Sequence, residues 1–317
     1  MEVNLGIDLN NAQLLIEAHK SGVSFERMAT LGRQRLLGDR ETLVSVLKRS
    51  GYTMSKDCVA RLLAPSTEYS EDFFALLGAK EIFAIDVSDF EGATILHDMN
   101  RPLPDSLINS FDLVLDGGTL EHIFDLPTAL RNATRMVRPN GRFISLTQAN
   151  NFCGHGFYQF SPELFYRFLC SKNGYVTEYC IVWEDIPGSH FYRVPDPDVV
   201  RTRINLTSEF GTNMTVQAKR TGDMSQEFIP QQSDYVRLWE IRPGETDPFG
   251  RAVEHPRTWA KFRSRLKQIP NLRAAVRLAR RLLRIPTYQA IAEYRRLGIR
   301  QNALGLLTPL RDLRVIR

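Results

Sequence analysis

The sequence predicts an α/β fold in which helices cover both faces of a mostly parallel β-sheet. Short apolar runs of strand length alternate with amphipathic segments of helical length, which is typical of successive βαβ units. Acidic or glycine residues directly follow several of these runs, where the loops of a parallel sheet bind ligands. The 317 residues, of which 43% are hydrophobic and 24% charged, suffice for one such domain and an appendage.

The first 78 residues predict one strand and three helices. We place the strand at residues 25–31, where Gly32 ends it. Three segments have apolar residues at helical spacing or a helix-capping serine at their start: 8–20, 40–63 with a break at Gly51, and 70–77.

Strands and helices alternate more regularly from residue 81 onward. The apolar runs predict strands at 81–87, 93–97, 111–115 and 142–147. One helix is expected at 127–137. A second should run from Ser161 to Gly174, because Ser161-Pro162-Glu163 supplies an N-cap, a proline in the first turn and an acid at the positive end of the helix dipole.

Beyond residue 185 the composition shifts towards Pro, Asp, Arg and Thr. We expect the last antiparallel strands here, with Tyr235–Ile241 as one strand-like piece, together with a region that covers the substrate. The predicted organisation therefore has three parts: a core at 1–185 with an insertion near 39–65, the late strands and covering region at 186–256, and a basic helical tail at 257–317.

The positive charge is concentrated in this tail. Residues 257–317 contain 16 of the 41 lysines and arginines but two of the 36 acidic residues, so they carry +14 and the rest of the chain −9. Between Pro270 and Pro286, one helical face carries basic residues and another apolar ones: Arg273, Arg277, Arg280, Arg281 and Arg284 against Leu272, Val276, Ala279 and Leu283. Such a helix suits an anionic membrane surface, or equally a docking place on its own domain. Nucleic acid is disfavoured, because no aromatic residues interleave with the basic ones between Pro270 and Pro286.

Two features indicate a cytoplasmic protein, with the tail as a peripheral contact to the inner membrane surface. The amino terminus lacks the basic segment of a secretory signal, and no apolar run approaches the roughly 18 residues that span a membrane. The four cysteines, Cys58, Cys153, Cys170 and Cys180, are widely spaced. We expect reduced thiols and no metal site.

Candidate ligand-binding residues directly follow the predicted strands. Asp86 and Ser88 follow the second strand, Asp98 and Met99 the third, and Asp116-Gly117-Gly118 the fourth. The Asp86 carboxylate could accept hydrogen bonds from both ribose hydroxyls of a nucleoside, and the glycines would let a ligand approach the backbone. An aspartate after a strand is often only a turn residue. The order and spacing of the whole set therefore favour a nucleoside site.

The segment from Phe73 to Tyr175 resembles the class I S-adenosylmethionine-dependent methyltransferases, in particular a bacterial type 11-like group. The similar stretches are AIDVS, then HDMNRPLP before FDLVLDGGTLEHIFD, and RMVRPNGRF. The resemblance implies a Rossmann-like seven-stranded sheet, parallel except for a reversed final strand, with S-adenosyl-L-methionine as cofactor. It also implies that Asp86 holds the ribose, that Asp98 and Met99 border the adenine, and that Asp116 to Gly118 line the methionine portion.

The first loop departs from the family pattern of three glycines. Thr30-Leu31-Gly32-Arg33-Gln34 has a single glycine and lies about 50 residues before Asp86, where about 20 is usual. Either residues 39–65 are inserted or the first strand lies elsewhere. We expect Gly32 to allow close approach of the cofactor, and Arg33 or Gln34 to meet its methionine carboxylate.

Two histidines are candidate bases for methyl transfer. His122 follows the fourth predicted strand, and His155 follows the fifth. Tyr158, three residues after His155, is a third candidate catalytic residue. His122 could instead simply pack beneath the cofactor. The stretch NNFCGHGFYQFSPELF resembles a bacterial subgroup associated with sugar modification.

These residues predict methyl transfer to a hydroxyl or amine of a saccharide or small metabolite. A catalytically silent methyltransferase-like scaffold is the alternative that the single-glycine loop favours. A nicotinamide-dependent reductase is disfavoured, because the sequence lacks GxGxxG and its one Tyr-x-x-x-Lys pair, at Tyr52 and Lys56, precedes the second strand.

Overall fold

The computed structural model describes residues 6–64, 68–201, 203–204, 206–225 and 227–240, and the backbone of 308–314. The strands are β1 (Gly6–Ile7), β2 (Arg27–Leu31), β3 (Arg35–Leu36), β4 (Glu81–Asp86), β5 (Ile95–Leu96), β6 (Phe111–Asp116), β7 (Val137–Asn150), β8 (Tyr175–Glu184), β9 (His190–Arg193), β10 (Thr212–Arg220) and β11 (Thr308–Arg314). The helices are α1 (Leu9–Lys20), α2 (Arg40–Arg49), α3 (Lys56–Leu63), α4 (Glu71–Leu76), α5 (Leu126–Met136), α6 (Pro162–Phe168) and α7 (Ser233–Glu240).

Nine strands form the main sheet, in the order β11-β9-β8-β10-β7-β6-β2-β4-β5. The pairs from β7 through β6, β2 and β4 to β5 are parallel, and β10 runs antiparallel between β7 and β8. The expected seven-stranded, mostly parallel sheet with one reversed strand is confirmed. The short strands β9 and β11 extend it beyond β8.

Helices cover both faces of this sheet, as expected. In the central strand β6 all six residues are buried, and its side chains alternate between two apolar cores. Val114 packs in one core with residues of α5 and α6, whereas Leu113 and Leu115 pack in the other with residues of α1, α2 and α4. This fully buried central strand therefore anchors the loop that follows Asp116.

The first strand lies where the sequence placed it. β2 pairs with both β4 and β6, at the centre of the parallel strands. The long interval before Asp86 arises because α2 and α3 lie between β2 and α4. Asp39 and Ser55 begin these helices, with side chains that accept hydrogen bonds from the backbone N–H of Thr42 and Cys58.

The expected strand at Tyr235–Ile241 is wrong, because residues 233–240 form the helix α7. Tyr235 and Trp239 stand four residues apart on one side of the helix, with ring centroids 6.3 Å from each other. At the first turn, the Glu163 carboxylate accepts a hydrogen bond from Ser233 N–H over 2.6 Å. This piece is therefore a half-exposed helix that is held by tertiary contacts.

The expectation of a helical tail is wrong for residues 308–314, which form the strand β11. It pairs antiparallel with β9, with Thr308 opposite Arg193. A strand here satisfies backbone groups that β9 would otherwise expose at the sheet edge. The tail helix expected between Pro270 and Pro286 lies outside the described residues.

Some element boundaries also differ from expectation. β7 continues through Pro139-Asn140-Gly141, where Asn140 takes a left-handed φ of 67°, instead of beginning after a turn. α6 ends at Phe168, short of Gly174. Within the described residues, no helix is both long and apolar enough to traverse a lipid bilayer.

Candidate active site

Four strand ends meet along one edge of the sheet. Leu31 of β2 is in register with Ile85 of β4 and with Asp116 of β6, and Asp116 is in register with Ser145 of β7. Because all four strands are parallel, the loops that follow them gather at this edge, which is where open α/β sheets bind ligands.

Gly32 and Asp86 lie beside each other at this edge. Gly32 has a left-handed φ of 68°, and its N–H donates to the carbonyl of Ile85 over 2.7 Å. A Cβ atom at Gly32 would lie 3.7 Å from Asp86 Oδ2 and 3.2 Å from Thr119 Oγ1. Asp86 Oδ1 accepts the N–H of Ser88 over 3.2 Å, so Ser88 takes part through its backbone. The half-buried Asp86 therefore has its other oxygen beside Gly32, which itself has no side chain.

The Arg33 side chain is held by contacts near α4 and in the loop after β4. Its guanidinium donates to the Glu71 carboxylate over 2.7 Å and to the Glu91 carbonyl over 3.0 Å, and it lies 3.9 Å from the ring centre of Tyr69. These contacts fasten the loop after β2 to α4 and to the loop after β4. Arg33 is thus a residue that positions this loop.

The sequence left open whether Arg33 or Gln34 meets the cofactor. In the structure, the Gln34 side chain lies against the candidate cofactor loop that contains Gly117. Its Nε2 donates to the carbonyl of Leu31 over 2.5 Å, and its Oε1 lies over Gly117, where a Cβ would overlap with it. Gln34 Oε1 is buried and has no hydrogen-bond partner among the described residues. An unpaired buried acceptor costs about 1–3 kcal/mol, so this oxygen is suited to receive a donor from a ligand.

The Asp116 side chain fixes the conformation of the loop after β6 through hydrogen bonds to its backbone. The fully buried carboxylate accepts the backbone N–H of Thr119 over 2.9 Å and of Leu120 over 3.1 Å, and the Ser145 hydroxyl over 2.6 Å. Burial raises the pKa of Asp116, and these hydrogen bonds act in the opposite direction. Gly118 adopts a φ of 92° that an L side chain would strain. Asp116 therefore positions Gly117 and Gly118 rather than facing a ligand.

Asp98 and Met99 follow the short strand β5, which is in register with Asp86. Asp98 Oδ1 accepts the backbone and side-chain N–H groups of Asn100 over 2.9 and 2.8 Å, and these bonds lower the pKa of Asp98. Met99 is buried in the apolar core, and its carbonyl accepts a hydrogen bond from Asn132. Asp98 therefore lies at the ligand-binding edge of the sheet, whereas the Met99 side chain packs in the apolar core.

His122 and His155 meet at the far end of the same edge. Their Nε2 atoms are 3.2 Å apart and their ring centroids 4.7 Å apart. The loop after β7 folds over the loop after β6, because Phe157 N–H donates to the Glu121 carbonyl over 2.7 Å and a Cβ at Gly156 would come within 2.7 Å of that oxygen. Burial lowers the pKa of both histidines below 6.5, so both rings are neutral near pH 7.

Glu121 is the site residue that the sequence analysis did not single out as a candidate. Its side chain is 1% exposed; Oε2 accepts the Thr147 hydroxyl over 3.2 Å and Oε1 lies 4.0 Å from His155 Nε2. Burial, followed by the nearby Asp116 charge, raises the pKa of Glu121 to about 8. The only signal in the sequence was its position between the strand end and His122.

Replacing Glu121 with glutamine is expected to make stability less sensitive to rising pH. In the unfolded chain the carboxyl titrates near 4.5, but in the folded state near 8. Because the unfolded chain ionises first, the wild type loses stability as the pH rises between these values. Thermal melts with a chelator at about pH 5 and about pH 8 should show a larger fall in Tm for the wild type than for Glu121→Gln. Equal falls, or the same change in the exposed control Glu41→Gln, would contradict this.

An exposed aromatic pair lies next to the histidines. Phe124 and Phe157 are 73% and 66% exposed, and their rings meet edge to face with centroids 5.8 Å apart. The Tyr158 hydroxyl donates to the Phe124 carbonyl over 2.7 Å, and its ring stacks on Phe160. Tyr158 therefore holds the aromatic pair in place, which gives it a positioning role instead of the expected catalytic one.

Residues 72–145 match the family model of a methyltransferase domain. This part of the chain is therefore similar to a methyltransferase domain, as the resemblance to the class I S-adenosylmethionine-dependent enzymes implies. The match covers β4 to β6 and part of β7, and thus the loops with Asp86, Asp116 and His122. Gly32 and His155 lie outside it. The cofactor of the methyltransferase domain is S-adenosylmethionine, which has ribose hydroxyls and an ammonium group. The residues present fit such a ligand: Asp86 Oδ2 beside the open side of Gly32 can accept from the hydroxyls, and the unpaired Gln34 Oε1 can accept from the ammonium group.

Three solved structures are similar to part of this chain. A branched-chain polyamine synthase from Thermus thermophilus is 13% identical, with a TM-score of 0.36 over 68% of this chain and 58% of that one. A 1,6-didemethyltoxoflavin-N1-methyltransferase from Burkholderia thailandensis, with bound S-adenosylhomocysteine, is 15% identical, with a TM-score of 0.34 over 67% and 77%. A SAM-dependent methyltransferase from Thermotoga maritima is 14% identical, with a TM-score of 0.36 over 65% and 87%. No curated protein matches the chain significantly.

Proposed function

We propose that this protein methylates a hydroxyl or amine of a saccharide or another small metabolite. The observation that carries the proposal is the cluster of His122, His155 and Glu121 beside the exposed Phe124–Phe157 pair, at the same sheet edge as Gly32 and Asp86. Polar groups that can accept a proton thus stand next to an apolar surface that can bind an acceptor.

The residues around the loop after β2 would hold the cofactor. Asp86 Oδ2 is placed to accept the ribose hydroxyls, and Gln34 Oε1 to accept a hydrogen bond from the ammonium group. S-adenosylmethionine, when bound, supplies an electrophilic methyl group on a positively charged sulfur. The contribution of the chain is to align the acceptor with that methyl group, and such alignment can lower the barrier by several kcal/mol.

The histidine pair would take the proton that a hydroxyl acceptor loses. Each ring is neutral near pH 7, because burial lowers its pKa, and one Nε2 of the 3.2 Å pair must be free of hydrogen to accept from the other. A base in this position contributes a factor of about 10²–10⁴ to the rate. Of the two, His155 has its Nε2 4.0 Å from Glu121 Oε1, so we assign the proton transfer to His155.

The aromatic pair would bind the acceptor. The C–H faces of a sugar ring, or a small aromatic metabolite, can pack against the exposed rings of Phe124 and Phe157. The double variant Phe124→Ala/Phe157→Ala is expected to raise KM for the acceptor at least tenfold and to leave the Kd for S-adenosylhomocysteine unchanged. A methyl-transfer assay over a panel of saccharides and small metabolites, with Trp239→Ala as the exposed aromatic control, measures this.

An unchanged KM in the double variant would contradict the acceptor surface. A panel without any turnover, together with no heat on titration of S-adenosylhomocysteine, would favour the catalytically silent scaffold. The observation in favour of that second candidate is the Gln34 side chain over Gly117, which lies close to the only glycine of the first loop.

We further propose that the protein works at the cytoplasmic side of a membrane, with the tail as its contact. The support is the charge of residues 257–317, which is +14. Cosedimentation of the full chain with anionic, but not with neutral, vesicles would agree with this. Equal recovery with both kinds of vesicle would rule it out.

A further inference from the structure

We propose that His122, His155 and Glu121 form a binding site for a divalent transition-metal ion. One ligand atom from each of these residues lies within 4.8 Å of the other two. The sequence gave no reason to expect a metal, because His155 is 33 residues from His122 and the fold of the loop after β7 brings the two together.

The separation of the two histidine nitrogens fits one shared ion. Their Nε2 atoms are 3.2 Å apart. Two nitrogens that each lie about 2.1 Å from a metal are about 3.0 Å apart at an octahedral angle and about 3.4 Å apart at a tetrahedral angle. The observed distance lies between these two values, so both rings need little movement to bind the same ion.

Glu121 completes the ligand set from the buried side. Its Oε1 is 4.0 Å from His155 Nε2, and the Thr147 hydroxyl holds the other oxygen over 3.2 Å. Metal-binding carboxylates are commonly oriented by such hydrogen bonds. No lysine or arginine among the described residues forms an ion pair with this buried carboxylate. A metal ion would bind this carboxylate in place of the proton that the raised pKa of Glu121 otherwise keeps on it.

The ligand types indicate the class of metal. Two imidazoles and one carboxylate suit first-row ions such as Zn²⁺, Mn²⁺, Fe²⁺ and Co²⁺, whereas Mg²⁺ and Ca²⁺ prefer oxygen ligands throughout. Three protein ligands leave at least one coordination position open. Phe124 and Phe157 each follow one of the histidines by two residues in the chain and are exposed, so an acceptor that packs against their rings would be near the open position.

The ion would have a role in methyl transfer, and this part of the inference rests on the proposed function. A bound metal lowers the pKa of a hydroxyl that it contacts. The acceptor hydroxyl would lose its proton to solvent, its oxygen would form the bond to the methyl carbon, and the sulfur–methyl bond would break to leave S-adenosylhomocysteine. With metal bound, His122 and His155 serve as ligands, and the ion replaces His155 as the group that activates the hydroxyl.

Calorimetric titration of the full, untagged chain tests the site. After treatment with a chelator and its removal, the protein is titrated with ZnCl₂, MnCl₂ and CoCl₂, and the visible spectrum of the cobalt form is recorded. We expect one equivalent of at least one ion to bind, with a loss of affinity of at least tenfold in His122→Ala and in His155→Ala. Thr147→Val should lose about 10–100-fold, because it removes the hydrogen bond that orients Glu121.

Two control variants separate this site from general binding. His190→Ala removes a half-buried histidine from β9, and Cys153→Ser removes an exposed thiol next to the site. Both should bind like the wild type, and circular dichroism melts verify that every variant is folded. Absence of stoichiometric binding by the wild type, or wild-type affinity in both His122→Ala and His155→Ala, would overturn the metal site.

The same titrations separate this inference from the proposed function. Metal binding is measured without cofactor, and cofactor binding without metal. Metal binding with no methyl transfer to any acceptor would leave the site standing and contradict the proposed function. Methyl transfer that metal inhibits, or that does not respond to a chelator, would contradict the role of the ion and support His155 as the base.

Discussion

Replacing Asp86 with alanine is expected to weaken the binding of S-adenosylhomocysteine about 100-fold. Asp86 lies at the end of β4 with Oδ2 facing Gly32, and the variant would lose two hydrogen bonds to a charged acceptor. At about 1.5 kcal/mol each, their loss corresponds to about two orders of magnitude in Kd. Calorimetric titration measures the effect.

Asp89→Ala provides the matched control, since Asp89 is an exposed aspartate three residues along the same loop. It should bind the ligand like the wild type. An Asp86→Ala variant with wild-type affinity would contradict the placement of the ribose at Asp86.

The second large effect is expected on turnover. Replacing His155 with alanine should lower kcat about 10²–10⁴-fold, because it removes either the base or a ligand of the ion that activates the acceptor. His155 is distant in the chain from Gly32 and Asp86, and Kd for S-adenosylhomocysteine should stay within about twofold of the wild type. Single-turnover methyl transfer with a radiolabelled methyl group measures the chemical step directly.

His19→Ala serves as the control for His155→Ala, because His19 is a partly buried histidine on α1 whose contacts are with Tyr52 and Phe25. It should leave the single-turnover rate unchanged. A His155→Ala variant that keeps the wild-type rate would show that neither chemical role of His155 is correct.

The pattern of apolar runs and acids was enough to predict the parallel sheet and its ligand-binding edge. β6 is buried at every position, and four of its six residues are apolar, with Asp116 at its end, while Asp86 directly ends β4. Local order of this kind is visible in a sequence because a parallel strand is covered on both faces. The reversed strand among the parallel ones was expected only from the resemblance to the methyltransferases.

The sequence could not reveal contacts made by distant loops. His155 reaches His122 only because the loop after β7 is fastened to the Glu121 carbonyl, and backbone hydrogen bonds of that kind leave no residue signature. Whether Arg33 or Gln34 meets the cofactor also depended on a distant residue. Glu71 of α4 accepts a hydrogen bond from the Arg33 guanidinium. The piece around Tyr235 was predicted to be a strand because the contacts that stabilise α7, with Glu163 and Asp198, come from elsewhere in the chain and are not visible in the local sequence.

A crystal structure with bound S-adenosylhomocysteine is the most direct test of the nucleoside site at the ends of β2, β4 and β6. We expect both ribose hydroxyls within hydrogen-bond distance of Asp86, the ammonium group at Gln34 Oε1, and the sulfur pointing along the edge towards His155. A ligand bound on another face of the sheet, or one whose ribose does not contact Asp86, would contradict the account.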